Sequence, residues 1–93
     1  MKSDLSNNLQ EMLGRVVKRL VDNPDEVELS EKEGSNSLVI VVSTAKEDVG
    51  KVIGSKGRNI TAVRTLASSV AGKHGKSVYV EIKEPQLFRG RVT

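Results

Sequence analysis

The residues best suited to chemistry lie in one run, Val52-Ile53-Gly54-Ser55-Lys56-Gly57-Arg58-Asn59-Ile60. Its two glycines carry no Cβ, so the backbone between them can approach another chain closely and can adopt positive φ. Lys56 supplies a mobile ammonium and Arg58 a planar fork of donors that matches a phosphate. If a helix begins here, its first N–H groups lack intrahelical partners and point toward an anion. Val52, Ile53, Ile60 and Val49 would line the adjoining helix faces and offer bases an apolar surface to rest on. The chemistry implied is capture of a sugar-phosphate strand in a groove, not of a nucleotide in a pocket.

Two glycines three apart are a weak signal alone, and Gly72-Lys73-His74-Gly75 repeats the pattern. That second copy falls where a helix gives way to a strand, so a left-handed residue after the helix end accounts for Gly75 without a ligand. The first copy falls between two helices and within a stretch of one sign. From Val49 to Val80 there are six bases (Lys51, Lys56, Arg58, Arg64, Lys73, Lys76) and no acid, whereas Asp22 to Glu33 holds six acids against Lys32. Such segregation makes a local positive field that attracts polyanions even though the net charge is only +3. A solvated helix surface is the competing reading of the charges alone.

Other chemistries find less support. With no Cys and one His, the chain has no disulfide, no thiolate metal site and no imidazole cluster. His74 stands in a turn with no nucleophile placed beside it, so it reads as solvated. Asp22, Asp25, Glu26 and Glu28 do not have the spacing of a calcium loop and read as a solvated face. No catalytic residue, metal, cofactor or small-molecule substrate is expected, and the chain is read as a non-enzyme. The longest apolar run, Leu38 to Val42, is too short to span a bilayer, and Met1 to Asp22 lacks the unbroken apolar stretch of a signal peptide. A reducing cytoplasm fits.

At 93 residues the chain has room for one domain. With two aromatics, Tyr79 and Phe88, its core must be aliphatic. Leu5, Leu9, Met12, Leu13, Val16, Val17, Leu20 and Val21 recur at steps of three and four, which predicts an amphipathic helix capped by Ser3 or Asp4 and ended by Asn23-Pro24. Gly14 inside it is read either as a close-packing position or as tolerated locally. Val27 and Leu29 alternate with polar residues, Gly34-Ser35-Asn36 is turn chemistry, and Leu38 to Val42 predicts a strand that is central or buried on both faces. Thr44-Ala45-Lys46-Glu47 matches a capping box, which predicts a short helix from Ala45 to about Ile53. After the glycine joint, Ile60, Val63, Leu66, Ala67, Val70 and Ala71 restore helical spacing to about Lys73. Val78, Val80 and Ile82 make a last strand, ended by Pro85. The helix pair acts as a crossover, so the second and third strands are expected to be parallel. The expected fold is α+β in the order α-β-β-α-α-β, a three-stranded mixed sheet with helices on one face, over residues 1–83. Residues 84–93 are read as a flexible tail.

Between two short helices, the run VIGSKGRNI resembles the KH domain, whose GxxG loop clamps about four single-stranded nucleotides. The element order is similar to the prokaryotic type II arrangement. More narrowly, Leu20-Val21-Asp22-Asn23-Pro24-Asp25-Glu26-Val27, with Glu47-Asp48-Val49-Gly50-Lys51-Val52-Ile53-Gly54 and Arg64-Thr65-Leu66, is similar to the small bacterial single-KH proteins of the KhpA (YlqC) group. The resemblance implies a cytoplasmic RNA-binding protein, an RNA chaperone or post-transcriptional regulator. It also implies a homodimer or a heterodimer with a larger KH-containing partner, and in some bacteria a role in cell elongation and division. Carried over, Gly54, Ser55, Lys56 and Gly57 form the loop, and Gly50, Lys51, Ile53, Arg58 and Ile60 match its flanks. Arg64 lies two turns into the next helix and is read as a phosphate contact or as helical surface charge. Lys73 and Lys76 bracket a very short variable loop. A protein-interaction subunit with RNA binding secondary is the alternative, and single-stranded DNA stays open as a ligand.

Overall fold

Helix α1, Asp4–Leu20, buries Leu5, Leu9, Leu13 and Val17, four positions at a spacing of four that line one stripe of the helix. The computed structural model describes residues 4–83, so the cap expected at Ser3 and the tail from Glu84 lie outside the described residues. After α1 the chain turns through a short 3₁₀ segment, Pro24–Glu26, where proline at the first position needs no N–H partner. Strand β1, Glu28–Glu33, pairs antiparallel with β2, Ser37–Ser43. The turn between them closes through Gly34 N–H to Ser37 O at 2.8 Å.

β2 is the central strand, and it pairs in parallel with β3, Ser77–Ile82. Of the two positions open for β2, the structure selects the central one without burial on both faces. Leu38, Ile40 and Val42 are buried, while Val39 and Val41 on the opposite face are only partly covered. The crossover between β2 and β3 holds a 3₁₀ turn, Lys46–Asp48, then α2, Val49–Ile53, a second 3₁₀ turn at Ser55–Gly57, and α3, Arg58–Gly72. Ile60, Val63, Ala67 and Ala71 of α3 join the α1 stripe and the inner sheet face in one aliphatic core. Each of the larger side chains there contributes about 1.5–3 kcal/mol by leaving water. Helix α3 ends as expected at a left-handed Gly75 (φ 69°), with Lys76 N–H to Ala71 O at 3.2 Å and Gly75 N–H to Gly72 O at 3.1 Å.

The start of the crossover departs from the expected capping box. Thr44 Oγ1 donates to Ala45 O at 3.0 Å and caps no amide, and the helix expected from Ala45 is split into a 3₁₀ turn and α2. The cause is Asp48, whose side chain is fully buried. Its carboxylate accepts Asp22 N–H at 3.2 Å, Asn23 N–H at 3.0 Å and the Asn23 side-chain amide at 3.0 Å. Glu47 also turns toward Asn23 Nδ2, at 3.4 Å, so it is directed to that corner and not back to Thr44. A buried charge is tolerated when donors satisfy its oxygens, and here they come from the end of α1. The acids read as a solvated face are therefore not all alike: Asp22 contributes its backbone to this knot. Among the described residues, no group of three metal-ligating side chains converges, and no helix is long and apolar enough to cross a membrane.

Two outcomes follow from this packing. A Cβ at Gly14 would have only Leu29 Cδ1 near it, at 4.0 Å, an ordinary contact. Gly14→Ala is expected to raise the unfolding free energy by about 1 kcal/mol, read as a higher urea midpoint at unchanged slope; a lower midpoint would show that the site cannot take a methyl. For Asp48, burial pushes the carboxyl up, but the Asn23 amide, the Asp22 and Asn23 N–H groups and the Lys51 charge outweigh it and hold the pKa below 3.8. The stability it contributes is thus complete above that ordinary value and is lost as pH falls through the lower folded-state pKa. Wild type should exceed Asp48→Asn in denaturant stability at neutral pH, with the gap closing below about pH 4; a gap independent of pH would refute this assignment.

Candidate nucleic-acid interface

The glycine joint turns the chain sharply between α2 and α3. Gly54 sits at φ 80°, ψ 167°, a region essentially restricted to glycine, and Gly57 at φ 75°, ψ 16°. Between them Lys56 also adopts a left-handed conformation, φ 57°, ψ 25°, the one non-glycine with positive φ among the described residues. Such a residue persists only where its surroundings determine it. Gly54 N–H bonds Gly50 O at 2.8 Å, and Gly57 N–H bonds Gly54 O at 3.0 Å. The Arg58 N–H bonds Ser55 O. The expectation that every amide at the start of α3 is open to an anion therefore needs correction at Arg58, whose N–H is used inside the loop.

Ser55, Lys56 and Arg58 are exposed on this corner. Among the described residues, no carboxylate pairs with Lys56 or Arg58. Lys51 differs: its Nζ lies 3.4 Å from Asp22 Oδ2 and 3.9 Å from Asp48 Oδ1. Its charge is directed to the root of α2, away from the loop tip, where Asp22 and the buried Asp48 both face it. Gly50 is exposed, with open space where a Cβ would be.

The apolar residues expected to carry bases divide. Val52 is fully buried and Ile60 is 7% exposed, so both belong to the core and anchor the joint from beneath; the expectation that they form a contact surface is corrected by their burial. Ile53 and Val49 are half-buried, and Ile53 packs against the core from its edge. Arg64 is more than surface charge, since its Nε donates to Val80 O at 3.2 Å and bridges α3 to the edge strand β3. It borders two shallow concavities, one with Thr61, Thr65, Ser68 and Ser69, the other with Ser68 and residues 78–81 of β3. Lys76, beside the short turn, is paired with Glu33 at 3.1 Å. His74 is exposed in that turn. Tyr79 is 56% exposed on the sheet face away from the helices.

Sequence reasoning missed Asn59. Its Nδ2 donates to Lys51 O at 2.9 Å, linking the first turn of α3 to the last turn of α2. A Cβ on Gly54 would meet Asn59 Cγ at 2.7 Å and Asn59 N at 2.8 Å. No spacing rule signals such a bond, because it depends on the close approach that only Gly54 permits.

The two glycines are thereby distinguishable. Gly57→Ala is expected to cost about 1–2 kcal/mol for its left-handed φ alone, since nothing lies within 4 Å of the added methyl. Gly54→Ala should cost more, having both a glycine-only conformation and a collision with Asn59. Urea unfolding of the two variants tests this, and equal losses would contradict the geometry.

The sequence profile of the KhpA/KhpB KH domain matches residues 10–82. A protein of Caldanaerobacter subterraneus named RNA-binding protein KhpA is 49% identical over 72 residues, covering 77% of this chain and 96% of its own. Its namesake in Chlamydia trachomatis is 46% identical over 76 residues, covering 82% of this chain and 97% of its own. That of Listeria monocytogenes is 41% identical over 76 residues, covering 82% of this chain and all of its own. A match that runs from within α1 through the mixed sheet and the glycine corner leaves one conclusion: this chain belongs to the KhpA/KhpB KH-domain family.

Proposed function

We propose that the protein binds single-stranded RNA without catalysing a reaction, holding the sugar-phosphate backbone at Gly54–Gly57. The observation that carries this reading is the exposed, glycine-bounded corner on which Lys56 and Arg58 stand free of carboxylates among the described residues. The names of the similar proteins support it. Ser55, Lys56 and Arg58 supply the polar contacts, and Gly54 and Gly57 let the strand approach the main chain. Ile53 and Ile60 set the depth of the corner. Gly50, Lys51 and Arg64 border the strand's path, where Lys51 can exchange Asp22 for a phosphate and Arg64 holds the edge of β3 beside α3. Bases are met by aliphatic and backbone groups, because no aromatic ring stands at the corner among the described residues, and this favours modest affinity and broad sequence tolerance. A general role as an RNA chaperone or post-transcriptional regulator fits such binding.

A second reading, a subunit that pairs with its own copy or with a larger KH-containing protein, draws on the exposed Leu66 (47%) and Tyr79 (56%). An association that survives ribonuclease, together with weak RNA binding by the isolated chain, would favour it.

The RNA reading is tested by the double substitution Ser55→Asp and Lys56→Asp. Two carboxylates facing phosphates should abolish RNA binding while circular dichroism and unfolding stay near wild type; undiminished affinity would reject the site. With about three phosphates contacted, log affinity against log salt should have a slope near −2. A flat salt response would count against backbone capture.

A further inference from the structure

Helix α2 has only five residues, Val49–Ile53, too few to be stable by its own hydrogen bonds. Both of its ends are fastened from outside. Asp48 holds the start against the end of α1, and Asn59 holds the finish by donating Nδ2 to Lys51 O at 2.9 Å. That second bond spans the whole glycine joint, from the last turn of α2 to the first turn of α3, and passes directly over Gly54. Beneath it three of four residues hold positive φ: Gly54 at 80°, Lys56 at 57° and Gly57 at 75°. Without a tie across its mouth, a loop of this kind samples other conformations and must be ordered again whenever a ligand binds.

We infer that Asn59 is the positioning residue of the clamp: its amide latches α2 to α3 across Gly54–Gly57 and holds the loop in its binding form before RNA arrives. The inference rests on the RNA reading above for its effect on affinity, and on the geometry alone for its effect on the loop. Ala and Ser at position 59 are smaller than Asn and lack the amide that donates to Lys51 O. Each therefore removes the latch without introducing a charge beside the phosphates.

The experiment compares wild type, Asn59→Ala and Asn59→Ser in two measurements. Amide hydrogen exchange on the free protein should be faster at Gly54 and Gly57, while amides of the β2–β3 ladder keep their protection. Affinity for a short fluorescein-labelled oligouridylate should fall roughly three- to tenfold, the worth of one hydrogen bond, at unchanged salt slope. Weaker binding with unaltered loop exchange would make Asn59 a direct RNA contact and overturn the proposal, as would unaltered affinity with a faster-exchanging loop. A loss of ladder protection in both variants would also overturn it, by making Asn59 a residue of the whole fold. The Ser55→Asp and Lys56→Asp protein separates this from failure of the RNA reading: if that protein binds RNA normally the site is wrong, whereas the exchange data still report the latch.

Discussion

The glycine joint is exposed because the residues on either side of it are not. Val52 is fully buried and Ile60 is 7% exposed, and both pack into the same aliphatic core. With these two points sunk, the seven intervening residues have nowhere to go but outward. Burying them would strand backbone polar groups that the core, lined by Leu, Val, Ile and Ala, cannot satisfy. The turn must also be tight, and only glycine tolerates the conformation found at Gly54. Core packing thus puts bare main chain on the surface, next to bases that no acid neutralises among the described residues.

A second constraint fixes where that corner points. The Asp48 carboxylate lies fully buried and gathers the free N–H groups at the end of α1, and Lys51 answers its charge at 3.9 Å. This knot joins the longest helix to the shortest. Asp22 is therefore kept at the root of α2 beside Lys51, and Lys56 and Arg58 of the joint stand at the other end. The separation of charge along the chain is only partly kept in space, since Lys51 meets Asp22 and Lys76 meets Glu33; Lys56 and Arg58 are left to make the positive field that a polyanion can sense.

The parallel pairing of β2 with β3 completes the frame. It requires a crossover, and the crossover is the helix pair that carries the glycine joint. Arg64 then ties α3 to the edge strand through Val80 O, so one wall of the shallow groove is fastened to the other. The opposite sheet face carries Val39 and Val41, partly covered, and the exposed Tyr79, while α1 and α3 pack against the inner face.

Much of this was legible in residue order. The spacing of Leu5, Leu9, Leu13 and Val17 reports a helix with one buried face, because period and burial are both local consequences of where apolar side chains fall. The alternation of Val78 and Val80 reports a strand in the same way, and two glycines amid bases mark the exposed turn between α2 and α3 at which phosphate capture is proposed. What only the tertiary structure decided were contacts between segments distant in sequence. Asp48 is a buried hub and not a solvated acid because Asp22 and Asn23 arrive over it, which also undoes the capping box that Thr44 and Glu47 spell. Val52 and Ile60 are anchors and not a platform because the sheet lies beneath them. Lys51 is a partner of carboxylates, Arg64 a brace, and Asn59 a link between helices, each through an atom supplied by another element. Pattern in a chain records which residues prefer water, whereas a hydrogen bond needs two groups within about 3 Å, and that proximity is a property of the folded molecule alone.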